Sequence, residues 1–251
     1  MFLPILPPPA RSAAMTVVAR GPLPSRLRHA ALCLGNFDGL HRGHRSLIAL
    51  AQALAGQQGL PMALMSCEPH PRSFFAPAGQ APFRLASPDQ KRRLFDASGA
   101  DYLFEPLFDN AFAAQSPETF LQDVLRTQLD VGTIICGSDF RFGAGRRGDA
   151  ESVLRFASRH GIGARIVEKT IAVSSTVIRS ALATGEIAEA NRFLGRPWQI
   201  DLTAVGQQIR PPAGHYLVRN PDSCATFSLS LPASDDACAR HGRFLDLLDR
   251  L

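Results

Sequence analysis

Short apolar runs alternate with segments of helical periodicity between residues 30 and 194, and this alternation restricts the fold more than any other feature of the sequence. Strands that alternate with helices build a parallel sheet with helices on both of its faces. The predicted strands are residues 30–34, 61–67, 101–104, 133–136 and 162–167. The predicted helices are residues 44–58, 87–98, 149–160, 174–184 and 186–194, with one more that starts at Ser116.

The pattern changes after Gly195, where short strand-like runs stand between proline and glycine residues. Strands are predicted at residues 200–205, 216–219 and 226–231, and a small closing helix at residues 242–251. A stretch of this length is short for an independent core. We therefore predict a main α/β domain at residues 15–196 and a small β-rich C-terminal appendage at residues 197–251 that packs on it.

The first residues and the cysteines bear on location. Residues 1–14 lack the basic start of a secretory signal and contain several prolines, so we predict a flexible or wrongly assigned leader, with Met15 as the alternative start. The five cysteines form no CxxC pair, and three lie in apolar stretches. This predicts buried thiols, no structural zinc site and a reducing cytoplasmic location. No apolar run approaches the roughly 18 residues of a membrane helix.

The net charge of +5 comes from 27 basic and 22 acidic residues. Nearly all basic residues are arginine, which is explained by codon composition or by bidentate phosphate binding. They are spread along the chain, without the clustered face or motif of a nucleic-acid-binding protein. We therefore predict small-molecule partners, no nucleic acid and no membrane, and leave the oligomeric state open.

A glycine-rich segment, GNFDGLHRGH at residues 35–44, joins the first predicted strand directly to a helix. Its glycines permit tight turns, and the helix start offers unpaired N–H groups and roughly half a positive charge to an anion. His41 and His44 can donate hydrogen bonds to a phosphate that gains charge in a transition state. A solvated pair or a metal-binding pair has the same spacing. The segment matches neither a Walker loop nor GxGxxG.

Three further segments stand where ligands bind in a parallel sheet, or at a helix start. EPHPRSFF at residues 68–75 follows the second predicted strand, and CGSDFRFGAGRRGD at residues 136–149 runs on from the end of the fourth. SSTVIR at residues 174–179 begins a helix. Taken singly, they are typical of a rigid structural loop, a flexible basic loop and a helix N-cap. Together they predict a binding site.

In their order and spacing, the four segments resemble the motifs of the HxGH nucleotidyltransferases. They are most similar to the adenylyltransferase module of prokaryotic FAD synthetases, the bifunctional riboflavin kinase/FMN adenylyltransferases. The resemblance covers residues 30 to about 197, including NRFLGRP at residues 191–197. It implies a Rossmann-like HxGH nucleotidyltransferase fold within the α/β class.

The resemblance also implies site residues and substrates. It implies that the catalytic residues are His41, His44, Ser175, Thr176 and Arg179. The implied ATP-binding residues are Gly35, Asn36, Phe37, Asp38, Gly43, His44, Ser174, Ser175, Thr176 and Arg179. The implied FMN-binding residues are Pro69, His70, Pro71, Phe75, Gly137, Asp139, Phe140 and Phe142. Asp139, which replaces an asparagine of some members, is the implied ligand of Mg²⁺.

The function implied by the resemblance is transfer of AMP from ATP to FMN, which gives FAD and pyrophosphate. The family's kinase barrel carries a P-T-A-N motif that is missing from this sequence, so we expect residues 197–251 to be a kinase remnant without riboflavin kinase activity. Two alternatives stay open. One is a related nucleotidyltransferase with another phosphorylated acceptor or another nucleotide, and the other is a catalytically weak flavin-nucleotide-binding protein.

Overall fold

A computed structural model describes residues 14–21, 23–168, 173–234 and 236–251, so most of the predicted leader lies outside the described residues. Six parallel strands form one sheet in the order β1-β4-β3-β2-β5-β6. They are β1 (Thr16–Val18), β2 (Ala31–Leu34), β3 (Met62–Met65), β4 (Tyr102–Phe104), β5 (Thr133–Gly137) and β6 (Gly163–Val167). The predicted α/β class with a parallel sheet is confirmed.

The central strands are apolar throughout because helices cover both faces of a parallel sheet. All four residues of β2 and of β3 are buried, in a register that pairs Ala31 with Met62 and Leu34 with Met65. The strand β1 was not predicted from the sequence. It has only three residues, of which two are exposed, so it leaves no apolar run to detect.

Most helices begin and end close to the predicted positions, because their caps are local. Ser174 accepts a hydrogen bond from the Val177 N–H, and Asp149 forms a capping box with Ser152. The helices are α1 (Arg42–Gln58), α2 (Pro71–Phe74), α3 (Pro88–Ala97), α4 (Asn110–Ala113), α5 (Pro117–Thr119), α6 (Ala150–His160), α7 (Ser175–Thr184), α8 (Ile187–Leu194) and α9 (Ala237–His241). The chain continues from α5 into a π-helical segment, Phe120–Gln128. Among the described residues, no helix has both the length and the apolar character needed to cross a membrane.

A second sheet is antiparallel, with the order β7-β10-β8-β9. Its strands are β7 (Trp198–Asp201), β8 (Gly214–Arg219), β9 (Thr226–Leu231) and β10 (Phe244–Arg250). The predicted closing helix at residues 242–251 is wrong, because β10 occupies that stretch. Leu245 and Leu247 are both fully buried and pair with Ile200 and Trp198. Pairing with β7 on one side and β8 on the other overrides the helical propensity of a leucine-rich run.

Contacts divide the described chain into two compact units, each with its own apolar core. The first unit falls within Met1–Asn36, Arg45–Ala76 and Arg93–Lys169, and the second within Phe37–His44, Pro77–Arg92 and Thr170–Leu251. The second unit thus contains the antiparallel sheet together with two short stretches from the N-terminal half. The functional division at residue 196 stays a prediction.

Candidate functional site

The eight residues Phe37–His44, called the histidine loop below, belong to the second unit. Their backbone enters the left-handed region at Phe37 (φ 50°), Gly39 (φ 75°) and Leu40 (φ 44°). At a non-glycine residue this conformation costs of order 1 kcal/mol. Glycine is required at residue 39 for two reasons. Its φ lies in the left-handed region, and a Cβ there would lie 2.8 Å from the Cβ of Leu85. The surrounding structure therefore holds the loop in a strained shape.

The two histidines of the loop stack against each other at the start of α1. Their ring centroids are 3.6 Å apart with an interplanar angle of 15°. The backbone N–H of His44 donates to Nδ1 of His41 at 3.4 Å, and the Phe37 ring packs edge-on against His44. A Cβ on Gly43 would lie 3.3 Å from the His41 ring. The loop thus presents two imidazoles side by side at a helix N-terminus, where an anion is favoured.

Asp38, the second residue of the histidine loop, is buried, with only 4% of its surface exposed. Its Oδ1 accepts hydrogen bonds from the backbone N–H groups of Leu85 (2.9 Å) and Ala86 (3.3 Å). Its Oδ2 lies 3.2 Å from Nη1 of Arg179. Burial raises the pKa of Asp38, against the opposing effects of Arg84, the Leu85 N–H and Arg179. Protein groups therefore use both oxygens of this carboxylate.

The start of α7 is joined to the histidine loop through Asp38, and both lie in the second unit. Arg179 donates to Asp38 and, at 3.3 Å, to Oγ1 of Thr176. The Ser175 hydroxyl donates to the carbonyl oxygen of Asp38 at 3.3 Å. The guanidinium carbon of Arg179 lies 5.7 Å from the centre of the Phe83 ring. The sequence-predicted groups at residues 37–44 and 174–179 are therefore linked by direct hydrogen bonds.

Two arginines that the sequence analysis gave no role also support this region. Arg196 donates from Nη2 to the carbonyl oxygen of Gly39 at 2.9 Å, which holds the loop at its strained turn. Arg84 is buried and acts electrostatically on Asp38. Arg196 stands in the NRFLGRP match, which was a usable signal. No motif marks Arg84.

The remaining ATP-site candidates, Gly35 and Asn36, belong to the first unit. The Gly35 N–H donates to the carbonyl oxygen of Met65 at 3.3 Å, and the carbonyl oxygen of Asn36 accepts from the Ser66 hydroxyl at 3.2 Å. These bonds fix the chain just beyond the carboxyl ends of β2 and β3. The glycine-rich turn therefore begins where ligands bind in such sheets.

The predicted flavin residues at 68–75 also lie in the first unit. His70 caps α2, because its Nδ1 accepts from the Arg72 N–H at 3.0 Å. Pro69 and Pro71 flank this histidine, so the loop is rigid by composition. Phe75 at its end is 68% exposed, which is unusual for a large aromatic side chain.

Phe75 is one end of a continuous series of aromatic rings, called the aromatic chain below. Successive centroids are 5.1–6.2 Å apart, in mostly edge-to-face contacts. Its members are Phe75, Phe74, Phe108, Phe112, Phe120, Phe142 and Phe140. It connects Phe75 of one predicted flavin motif with Phe140 and Phe142 of the other. The sequence analysis missed Phe108 and Phe112, which no motif marks.

The glycine-rich loop after β5 is built by close packing. A Cβ on Gly148 would lie 2.7 Å from the Phe142 ring, and the backbones of these two residues exchange hydrogen bonds. A Cβ on Gly143 would meet the nitrogen of Pro117 at 2.8 Å. Asp139 in this loop is exposed, beside Gly137. In the described part of the chain, no group of three or more His, Cys, Asp or Glu side chains forms a metal site.

Comparison with known proteins identifies the family. The model of a family described as FAD synthetase matches residues 23–181, which is more than half of the chain. The chain belongs to the FAD synthetase family. A bifunctional riboflavin kinase/FMN adenylyltransferase from Escherichia coli is 38% identical over 173 residues, which cover 67% of this chain and 55% of that protein. The Haemophilus influenzae protein of the same name is 33% identical over 181 residues, covering 69% of this chain and 58% of the relative.

The chain thus spans little more than half the length of these relatives. A solved structure is similar over nearly the whole chain. A crystal structure of a macrolide-efflux protein from Streptococcus pneumoniae has a TM-score of 0.73 and 21% identity, over 94% of this chain and 91% of that one. At this identity the likeness concerns the fold alone.

Proposed function

We propose that the chain is an FMN adenylyltransferase that transfers AMP from ATP to FMN and releases pyrophosphate. The observation that carries the proposal is the stacked pair His41 and His44 at the start of α1, joined through Asp38 to Arg179 at the start of α7. Two helix N-termini, two imidazoles and a guanidinium in one unit suit a polyphosphate. Membership of the FAD synthetase family supports FMN as the acceptor.

The proposed reaction is an in-line displacement at the α-phosphorus of ATP. An oxygen of the FMN phosphate forms the new P–O bond, while the bond from the α-phosphorus to the bridging oxygen breaks and its electron pair leaves with pyrophosphate. A phosphate dianion is already nucleophilic, so catalysis consists of positioning and charge stabilisation. We assign His41 and His44 to donation of hydrogen bonds to the α-phosphate and the bridging oxygen.

The groups at the start of α7 hold the β- and γ-phosphates in this proposal. Thr176 Oγ1 accepts from Arg179, so its O–H proton is left for a phosphate oxygen. The single proton of Ser175 goes to the Asp38 carbonyl, so this hydroxyl must rotate before it donates to ATP. Ser174 is the N-cap and supports the helix end. Of the two hydroxyls, Thr176 is therefore the better placed phosphate ligand, and Arg179 supplies the positive charge.

The flavin side is assigned to the first unit. Exposed Phe75 offers a ring face for the isoalloxazine, and the proline loop with Pro69, His70 and Pro71 forms a rigid wall. Gly137, Phe140 and Phe142 belong to the same assignment. The aromatic chain supports it, because successive ring contacts connect Phe75 with Phe142 and Phe140.

We include Mg²⁺ in the proposal, because this ion keeps several waters and takes its other ligands from substrate phosphates and one or two carboxylates. Asp139 is the carboxylate that we assign to it. When bound, the ion would neutralise phosphate charge. The proposal also includes a cytoplasmic location. It further includes the absence of riboflavin kinase activity in this chain, because the P-T-A-N motif is missing from its sequence.

The test is chromatographic. Purified protein is incubated with ATP and Mg²⁺, with FMN in one tube and riboflavin in another. FAD from FMN, with riboflavin unchanged, is the expected result. Conversion of riboflavin to FMN or FAD contradicts the absence of kinase activity. No product in either tube refutes the adenylyltransferase proposal and favours another acceptor or a binding role.

A further inference from the structure

A short segment before α3, residues 84–86, is held by residues of the C-terminal sheet and its first loop. The indole N–H of Trp198 donates to the Leu85 carbonyl oxygen at 2.8 Å, and Nε2 of Gln208 donates to the same oxygen at 3.0 Å. The Ile209 N–H donates to the Arg84 carbonyl oxygen at 2.9 Å. Trp198 and Gln208 are both buried. Both lone pairs of the Leu85 carbonyl are therefore used by two fixed side chains.

The chain that follows is held by the same sheet. The Ser87 hydroxyl donates to Oδ2 of Asp201 at 2.7 Å, and Nε2 of Gln90 donates to the Gln199 carbonyl oxygen at 2.9 Å. Arg243 donates to both oxygens of Asp201, at 3.0 and 2.9 Å. Burial alone would raise the pKa of Asp201. The hydrogen bonds from Arg243, Ser87 and Thr203 outweigh this effect and bring that pKa down to about 2. The buried carboxylate of Asp201 therefore joins Ser87 to the C-terminal sheet.

Residues 84–86 also bind the histidine loop, through their backbone N–H groups. The N–H groups of Leu85 and Ala86 donate to Asp38, and Asp38 accepts from Arg179. The Leu85 carbonyl and the Ala86 N–H belong to one peptide group. Because hydrogen bonds polarise each other along a chain, bonds accepted at this carbonyl strengthen the bond that its N–H donates. A continuous series of hydrogen bonds thus runs from Trp198 and Gln208, through one peptide group, to Asp38 and Arg179.

We propose that Trp198 and Gln208 are positioning residues for the transfer reaction. They fix the Leu85–Ala86 peptide group, which orients Asp38, and Asp38 in turn orients Arg179 toward the phosphates and holds the start of the histidine loop. The expected effect on the reaction rate rests on the proposed function. The hydrogen bonds that orient Asp38 and Arg179 are independent of it. It gives the first strand and loop of residues 197–251 a role in the adenylyl transfer itself, beyond that of a kinase remnant.

The test compares two variants that each lose one hydrogen bond from a buried aromatic side chain of the same sheet. Trp198→Phe loses the donor to the Leu85 carbonyl. Tyr216→Phe is the matched control, because its hydroxyl donates to the Pro212 carbonyl oxygen at 2.6 Å, away from the series. Gln208→Met, which keeps a similar volume, is the second test variant if Trp198→Phe fails to fold.

Two readouts are used, and the first needs no activity. Amide hydrogen exchange, followed by NMR, is expected to rise about fivefold or more at Leu85 and Ala86 in Trp198→Phe, and to stay at the wild-type rate there in Tyr216→Phe. The second readout is turnover. We expect kcat to fall about fivefold in Trp198→Phe, the equivalent of one neutral hydrogen bond, with the KM for FMN unchanged. In an Arg179→Ala background the same substitution is expected to change kcat less than about twofold, because coupled residues are not additive.

The outcomes separate this inference from the proposed function. If the wild-type chain makes no FAD, the proposed function is wrong, and the exchange rates alone decide whether Trp198 fixes the Leu85–Ala86 peptide. Wild-type exchange at both amides in Trp198→Phe overturns the inference. So does a kcat that is unchanged in Trp198→Phe, or one that falls equally in Tyr216→Phe.

Discussion

Replacing Asp38 by asparagine separates the role of its charge from that of its shape. The side-chain carbonyl oxygen of the introduced asparagine can still accept from the Leu85 and Ala86 N–H groups, which fixes the orientation of the amide. The NH₂ group of that amide then takes the place of Oδ2, 3.2 Å from Nη1 of Arg179, so that donor faces donor. We therefore expect Arg179 to leave its position while the loop backbone stays.

The expected changes in stability and in catalysis differ in size. At 3.2 Å the Coulomb attraction of the pair is about 5 kcal/mol for an effective dielectric constant near 20. Desolvation of a buried carboxylate costs several kcal/mol and offsets most of it, in line with the raised pKa of Asp38. The free energy of unfolding should therefore change by less than this Coulomb attraction alone. Loss of a charge-assisted hydrogen bond should lower kcat/KM for ATP by about 10- to 150-fold, equal to about 1.5–3 kcal/mol.

The raised pKa of Asp38 predicts the direction in which stability changes with pH. A folded pKa above the unfolded value of about 3.9 means that the unfolded chain loses this proton first as the pH rises. Wild-type stability should thus decrease from about pH 4 up through the folded pKa of Asp38, and the asparagine variant should lack this contribution.

Urea denaturation across pH and steady-state kinetics with varied ATP measure both quantities. Asp246→Asn is the matched control, because Asp246 pairs with Arg219 at 2.8 Å in the same unit, apart from the histidine loop. We expect this control to keep its kcat/KM. The role assigned to Asp38 is wrong if Asp38→Asn unfolds far more easily than wild type yet keeps wild-type kcat/KM for ATP.

Four further predictions concern single positions. His44→Ala should lower kcat about 10²–10³-fold in the FAD assay, and a loss below tenfold contradicts its role. Gly43→Ala should lower kcat by crowding the His41 ring at 3.3 Å, with stability by denaturation unchanged or raised because alanine favours the helix. Phe75→Ala should weaken FMN binding in a fluorescence titration about tenfold, with stability changed by under about 0.5 kcal/mol because the ring is 68% exposed. The lowered pKa of Asp201 should contribute about 2 kcal/mol of stability that is lost as the pH falls from about 4 toward 2; flat stability in acid denaturation contradicts it.

The parallel sheet was predictable because its signals are local. A short apolar run predicts each of the strands β2 and β3. A capping serine, Ser116 or Ser174, predicts the start of each of two helices. Residues 242–251 were assigned to the wrong element, because the strand at Leu245 and Leu247 exists only through pairing with β7 and β8. Long-range pairing of this kind leaves no local pattern in a leucine-rich run.

In the candidate site, too, only the residues with a local sequence signal were predicted. His41, His44 and Arg179 stand in motifs and were predicted, and the structure brings them together in one unit. Arg84 and Gln208 were not predicted, because their contacts to this region, with Asp38 and with the Leu85 carbonyl, join residues distant in sequence. A motif identifies the side chains that meet a ligand far better than those that hold them in place.

The chain contains one tryptophan, and its position gives the molecule an internal optical reporter. Trp198 is almost fully buried in the second unit, with its indole N–H bonded to Leu85. Its emission therefore follows the second unit alone, whereas far-ultraviolet circular dichroism follows both units. Comparing the two signals during denaturation would show whether the units unfold in one step or in two, without any label attached to the protein.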